Sequence, residues 1–290
     1  MREPAFWWRE AGLAAGLLAP LAAVYGAVAS ARLRQSGARA AVPVICIGNL
    51  TVGGAGKTPL TLTLARLLQA AGDAPFLLSR GYGGRLAGPL QVDPVRHRAA
   101  DVGDEPLLLA RVAPAFVARD RVKGAQAAVA AGAGVIVMDD GFQNPSLQKS
   151  FSVLVVDARR GIGNGRVVPA GPLRAPLAAQ LARADALVVV GTSNAGASVA
   201  AAAHGRGVQV FQAGLVPDAA VAAASILARD RFVGWLDKAS ETLGTTLPKG
   251  AGPQVITTAR ALVAAHGPDI LREYAKVSFK TTRAVLENTP

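Results

Sequence analysis

Only one of the 290 residues is a cysteine, Cys46, three are histidines, and aromatics make up 5% of the chain. A lone thiol excludes an intrachain disulfide, and Cys46 sits inside an apolar run where a buried strand residue is the plain reading. His97, His204 and His266 are scattered without metal-ligand spacing, so each reads as a surface histidine. Acidic residues are also few. Nineteen Asp and Glu against 31 Lys and Arg leave a formal charge of +12, which calls for an anionic partner such as acidic headgroups, phosphorylated substrates or nucleic acid. The basic residues form no long run and no aromatics interleave with them, which argues against nucleic acid. No internal repeat is present.

What remains is rich in Ala, Val, Leu and Gly, the composition of α/β layers, and the length allows one large or two modest domains. The apolar run Val42-Pro-Val-Ile-Cys-Ile47 leads into Asn49-Leu-Thr-Val-Gly-Gly-Ala-Gly-Lys-Thr-Pro59. A β-branched strand, a glycine loop and Lys-Thr at the start of a helical pattern is the layout of a phosphate-binding loop. Backbone N–H groups of Thr51, Val52, Gly53, Gly54, Ala55 and Gly56 can curl around phosphate oxygens. Lys57 supplies charge to the β/γ-phosphates, and the Thr58 hydroxyl can ligate Mg²⁺. Thr51 stands where the strict pattern has its first Gly. The loop predicts a bound nucleoside triphosphate, and with one thiol it places the folded domain in a reducing compartment.

A second signal is Val135-Ile-Val-Met-Asp139-Asp140-Gly141-Phe142-Gln143. An apolar strand ending in Asp is the other half of such a site, where Asp139 and Asp140 organise Mg²⁺. Asp101-Val-Gly-Asp104-Glu105-Pro106 sets three carboxylates before a helix. They read equally as caps or as a base for an accepting hydroxyl. Ser79-Arg80-Gly-Tyr82-Gly83 and Pro169-Ala-Gly-Pro-Leu-Arg174 are shaped loops whose Arg can clamp phosphate or sit solvated at the surface.

Apolar runs at Phe76–Ser79, Ala115–Ala118, Val135–Met138, Phe151–Val156 and Ala186–Val190 alternate with helical stretches. This predicts a parallel sheet covered on both faces, with ligands at the carboxyl ends of its strands. The expected organisation is an apolar N-terminal helix over 1–36, a P-loop domain over 37–205 and a smaller α/β unit over 206–290. Ala11 to Ala31 carries no charge. It is long enough to span a bilayer, yet Pro20 interrupts it and Trp7-Trp8 with flanking Arg suit the headgroup interface. An interfacial helix, a span and a buried helix all stay open. Ala29-Ser30-Ala31 looks like a cleavage site, but the preceding stretch is a poor signal-peptide start.

Together these pieces resemble the tetraacyldisaccharide 4'-kinase family of lipid A biosynthesis over about residues 1–225, the Arg2-Glu-Pro start included. The resemblance implies transfer of the γ-phosphoryl of ATP, with Mg²⁺, to the 4'-hydroxyl of a tetraacylated glucosamine disaccharide 1-phosphate. It implies no nucleic-acid partner and a place at the cytoplasmic face of the inner membrane. Lys57, Asp104, Asp139 and Asp140 would be catalytic, with Thr58, Asp139 and Asp140 on the metal. Glu105, Arg80, Tyr82, Gln143 and Arg174 would meet substrate. Asn144 stands where many members have His. From about Ile226 neither the family's Asp-His element nor its Thr-Thr-Glu-Lys-Asp stretch is found, so the tail is expected to be diverged or read out of frame, with weakened turnover. Two further readings stand beside the kinase: a dimeric ATPase switch of the deviant P-loop type, whose signature Lys is replaced here by Val52, and a family member that binds nucleotide without turning over.

Overall fold

The computed structural model describes residues 3–216, 235–248 and 253–271. Two compact units divide the chain, Met1–Leu215 and Val216–Pro290.

The first unit is built on a sheet of eight strands: β1 (Val44–Asn49), β2 (Pro75–Ser79), β3 (Leu90–Gln91), β4 (Ala115–Val117), β5 (Val135–Asp139), β6 (Phe151–Asp157), β7 (Ala186–Val190) and β8 (Gln209–Ala213). Their order across the sheet is β3-β4-β2-β5-β1-β6-β7-β8. Every pairing is parallel except β3 with β4. The strands are apolar on both sides because helices cover both faces. One core gathers Cys46, Leu78, Ile136, Met138 and Leu154 with Ala125 and Ala128 of α6 (Arg121–Ala130) and Val199 of α8 (Asn194–His204). The other takes the alternate residues Ile47, Leu77, Val137 and Val155 against Ala65 of α3 (Lys57–Ala70) and Leu109 of α5 (Asp104–Leu109). This alternation is the period-2 signature of the strands.

β1 lies between β5 and β6, so the carboxyl ends of β1 and β5 deliver the glycine loop and the Asp pair side by side. β8 joins the same sheet beside β7, although the sequence-based boundary at 205/206 set it in the following unit. Burial lifts the Cys46 thiol to about 12, which leaves it an inert core residue.

The amino-terminal segment folds as a short 3₁₀ turn (Ala5–Trp8), α1 (Leu13–Leu17) and α2 (Ala19–Arg34). The break falls at Leu18, and Pro20 occupies the first turn of α2, where its missing N–H costs nothing. Sixteen residues give α2 a length of about 24 Å, short of the roughly 30 Å hydrocarbon core. No described helix is long and apolar enough to cross a membrane. The segment is only partly buried. Its small residues Ala15, Ala22 and Gly26 face the protein, while Leu13, Leu17, Leu21, Val24 and Val28 are 56–89% exposed. That is an aliphatic stripe turned outward.

In the second unit, the described residues contain the helices α9 (235–243) and α10 (Pro253–His266) and no strand. Val263 and Leu271 form a small core with Ile256, Ala259 and Ile270. Ile226 and the tail beyond Leu271 lie outside the described residues.

Candidate phosphoryl-transfer site

The glycine loop is gripped from beneath by side-chain amides. Asn49, fully buried at the end of β1, donates through Nδ2 to the carbonyls of Thr51 (2.7 Å) and Gly53 (2.9 Å). Gln180 Nε2 donates to Leu50 O at 3.1 Å, and Gln143 Nε2 to Asn49 O at 3.0 Å. Arg174 Nε donates to Thr51 O at 3.0 Å. With these carbonyls engaged from below, the turn is fixed before any ligand arrives. Gly56 caps α3 in the left-handed region at φ 87°, which a side chain would resist.

Not every loop residue serves the ligand side. The Val52 N–H donates to Pro172 O at 2.8 Å and is committed to the scaffold. Thr51 is buried and bridged to Leu173. Val52, Gly53, Gly54 and Lys57 line the adjoining cavity, whereas Thr51, Ala55, Gly56 and Thr58 are off its wall. The cavity has a volume of about 800 Å³. Six cations line it, Arg32, Lys57, Arg80, Arg119, Arg121 and Arg174, against three acids, Glu105, Asp139 and Asp140. Such a wall selects a polyanion. Tyr82, Gln143 and Asn144 also reach it, as do Tyr25 and Val28 of α2.

The two aspartates differ sharply. Asp139 is buried at the end of β5, and its Oδ1 accepts from Thr61 Oγ1 at 3.2 Å. Its Oδ2 is buried without a donor. Burial, then the charges of Glu105 and Asp140, raise its pKa to about 6, with Lys57 and Thr61 pulling the other way. Asp140 adopts φ 52° and is half-exposed. It accepts from Arg174 Nη1 at 2.9 Å and stands 3.7 Å from Lys57 Nζ. An unpartnered buried carboxylate oxygen on a residue that shares a cavity wall with the phosphate loop fits a hard cation. Among the described residues no cluster of three or more His, Cys, Asp or Glu suits a metal, but Mg²⁺ needs only one or two carboxylates when phosphates and water complete its shell.

The three carboxylates before α5 separate. Asp101 is structural: it accepts from the Arg98 N–H at 3.0 Å and pairs with Arg85 at 2.7 Å, which together hold its pKa low. Glu105 is on the cavity wall, and Asp104 beside it is exposed and off that wall. His97 Nδ1 accepts from the Asp93 N–H at 2.9 Å, a local turn bond, and His204 and His266 are exposed. Several wall residues escaped the sequence reading, among them Arg32, Arg119 and Arg121. Arg121, 2% exposed, donates to Ala118 O, keeps a buried Nε without a partner and has its pKa lowered by burial and by Arg80. A buried guanidinium at a cavity is an anion-binding group, but one Arg after an Asp cap carries no motif.

Residues 14–240 match the family model of tetraacyldisaccharide-1-P 4'-kinase. The chain belongs to this family. The tetraacyldisaccharide 4'-kinase of Nitrobacter winogradskyi is 57% identical over 224 residues, covering 77% of this chain and 66% of the relative. That of Bradyrhizobium sp. is 59% identical over 224 residues, covering 77% and 65%. The chain therefore spans just under two thirds of the length of the curated relatives it matches. Among solved structures, LpxK from Aquifex aeolicus in complex with ATP aligns at a TM-score of 0.53 and 32% identity, over 60% of this chain and 58% of that one. A second model, ribonuclease HII, matches residues 200–282. The two matches overlap over residues 200–240.

Proposed function

We propose that this chain is an ATP-dependent kinase of the lipid A pathway. It moves the γ-phosphoryl of ATP to the 4'-hydroxyl of a tetraacylated glucosamine disaccharide 1-phosphate, at the cytoplasmic face of the inner membrane. The observation that carries this reading is the meeting of Lys57, Asp139, Asp140 and Arg174 at the carboxyl ends of β1 and β5, with Asp139 Oδ2 unpartnered beside the loop. Asp139 and Asp140, with the Thr58 hydroxyl, would hold Mg²⁺, which when bound neutralises phosphate charge. Lys57 and the glycine loop orient the triphosphate, and Arg80, Arg119 and Arg121 supply positive charge for phosphate groups. Asp104, exposed just off the cavity wall at the start of α5, serves as base on the accepting hydroxyl with Glu105 beside it on the wall, while Tyr82, Gln143 and Arg174 meet substrate.

The outward aliphatic stripe of α1 and α2 supports contact with a lipid surface, and the net charge of +12 suits an acidic lipid in an acidic membrane. The test is incubation with labelled ATP and the lipid disaccharide 1-phosphate. Label enters lipid with the wild type and is lost in Asp104→Ala. Retention of full rate in that variant removes Asp104 from the role.

A second reading, nucleotide binding with weakened or no transfer, is favoured by one observation. The match to the curated kinases covers 77% of this chain and 66% of the relative, and residues 200–282 are similar to a different family model, ribonuclease HII. ATP binding with no labelled lipid would select it.

A further inference from the structure

Two side chains meet Gly53. Asn49 Nδ2 donates to its carbonyl at 2.9 Å. The carboxylate of Glu3 lies so close that a Cβ at Gly53 would overlap Glu3 Oε1. Gly53 has φ 103°, a conformation that an L side chain resists and that a free loop leaves readily. Glu3 is itself fixed. Its Oε2 accepts from Arg160 Nη1 at 3.0 Å and from Trp8 Nε1 at 3.1 Å. The Arg160 guanidinium in turn lies over the Trp8 ring, 4.5 Å from the centroid.

A carboxylate against a phosphate loop would repel the ligand if it stood alone. Arg160 neutralises it and brings a cation to the same edge of the sheet, just after β6. The segment that carries Glu3 is also tied down. Trp7 Nε1 donates to Pro169 O at 2.9 Å, and the Asn164 N–H donates to Trp7 O at 2.8 Å. The Pro169–Arg174 stretch that receives it is the one whose Pro172 and Arg174 grip the loop.

We infer that Glu3, Trp8 and Arg160 form a positioning clamp that presets Gly53 for triphosphate and makes nucleotide affinity depend on the amino-terminal segment. These are positioning residues that act through the loop. The inference rests on the nucleotide-binding reading above, and the experiment separates the two. MgATP affinity is measured by calorimetry on the full chain for the wild type, Glu3→Ala, Glu3→Gln, Trp8→Phe, Arg160→Ala and the double variant Glu3→Ala/Arg160→Ala, with the nucleotide-free melting temperature of each. Glu3→Ala should bind MgATP about 10-fold more weakly. Glu3→Gln, whose one amide oxygen can still accept from Arg160 and Trp8 but which loses the charge, should recover part of that loss. Trp8→Phe keeps a smaller aromatic face under Arg160 and removes the N–H, so it should show a smaller loss. The double variant should be little worse than Glu3→Ala, because the pair acts as a unit. Melting temperatures should stay within a few degrees of the wild type. Variants that bind MgATP as the wild type does, or whose affinity loss follows their loss of melting temperature with no recovery in Glu3→Gln, overturn the clamp and leave nucleotide binding intact. A wild type that binds no MgATP overturns the underlying reading and the clamp with it.

Discussion

Residues 3–215 and the described residues of the following unit are built by different rules. In the first, apolar strands order themselves into a sheet whose carboxyl edge gathers a phosphate loop, two aspartates and six cations. In the second, the described residues are helices with a small core around Val263 and Leu271, and the stretch 200–282 is similar to the ribonuclease HII model while the kinase model runs on to residue 240. The chemistry proposed here draws on residues of the Met1–Leu215 unit.

That contrast can be broken or sharpened by substitution. The largest effect is expected at Asp139→Ala, which removes a buried carboxylate beside the loop. Phosphoryl transfer should fall by about 10³-fold or more in kcat, followed as labelled lipid. Next is Arg174→Ala, which frees Asp140, Gln143 and the Thr51 carbonyl together. A loss of about 10²-fold in kcat/KM is expected, and an unchanged value would detach the Pro169–Arg174 loop from the site.

A third test uses proton linkage at Asp139. Its folded pKa of about 6 lies above the ordinary 3.8, so the folded state holds the proton more tightly than the unfolded chain. The stabilising effect of that proton is full below about pH 4 and is lost as pH rises through about 6. In metal-free urea titrations the wild type should therefore lose about 2–3 kcal/mol relative to Asp139→Asn between those limits. Parallel curves would contradict the burial argument. The smallest effect is expected in the tail. Val263→Asp should disrupt its core, yet MgATP affinity should stay within about twofold, since every residue proposed to hold the nucleotide belongs to Met1–Leu215. A large loss would tie the tail to the site.

The glycine loop, the Asp139-Asp140 pair and most strands were legible in the sequence because each is a short contiguous signal. β3 is two residues long and escaped for that reason. Asp101 and Asp104 could not be told apart, because a cap and a base need the same residue in the same place. The structure separates them through Arg85 and the Arg98 N–H, neither of which sequence spacing marks. Arg121, Gln180 and the Glu3–Arg160 contact depend on partners distant in the chain or on burial. The tail showed no motif, so its likeness to another family was invisible to local reading.

The central claim is that the loop and the aspartates of Met1–Leu215 perform phosphoryl transfer to a lipid hydroxyl. The most direct measurement is transfer of the labelled γ-phosphoryl from ATP to the lipid disaccharide 1-phosphate by wild type and by Lys57→Ala. The account predicts label at the 4'-position with the wild type and none above background with the variant. Bound MgATP with no labelled lipid from the wild type, or equal labelling by both proteins, would contradict it.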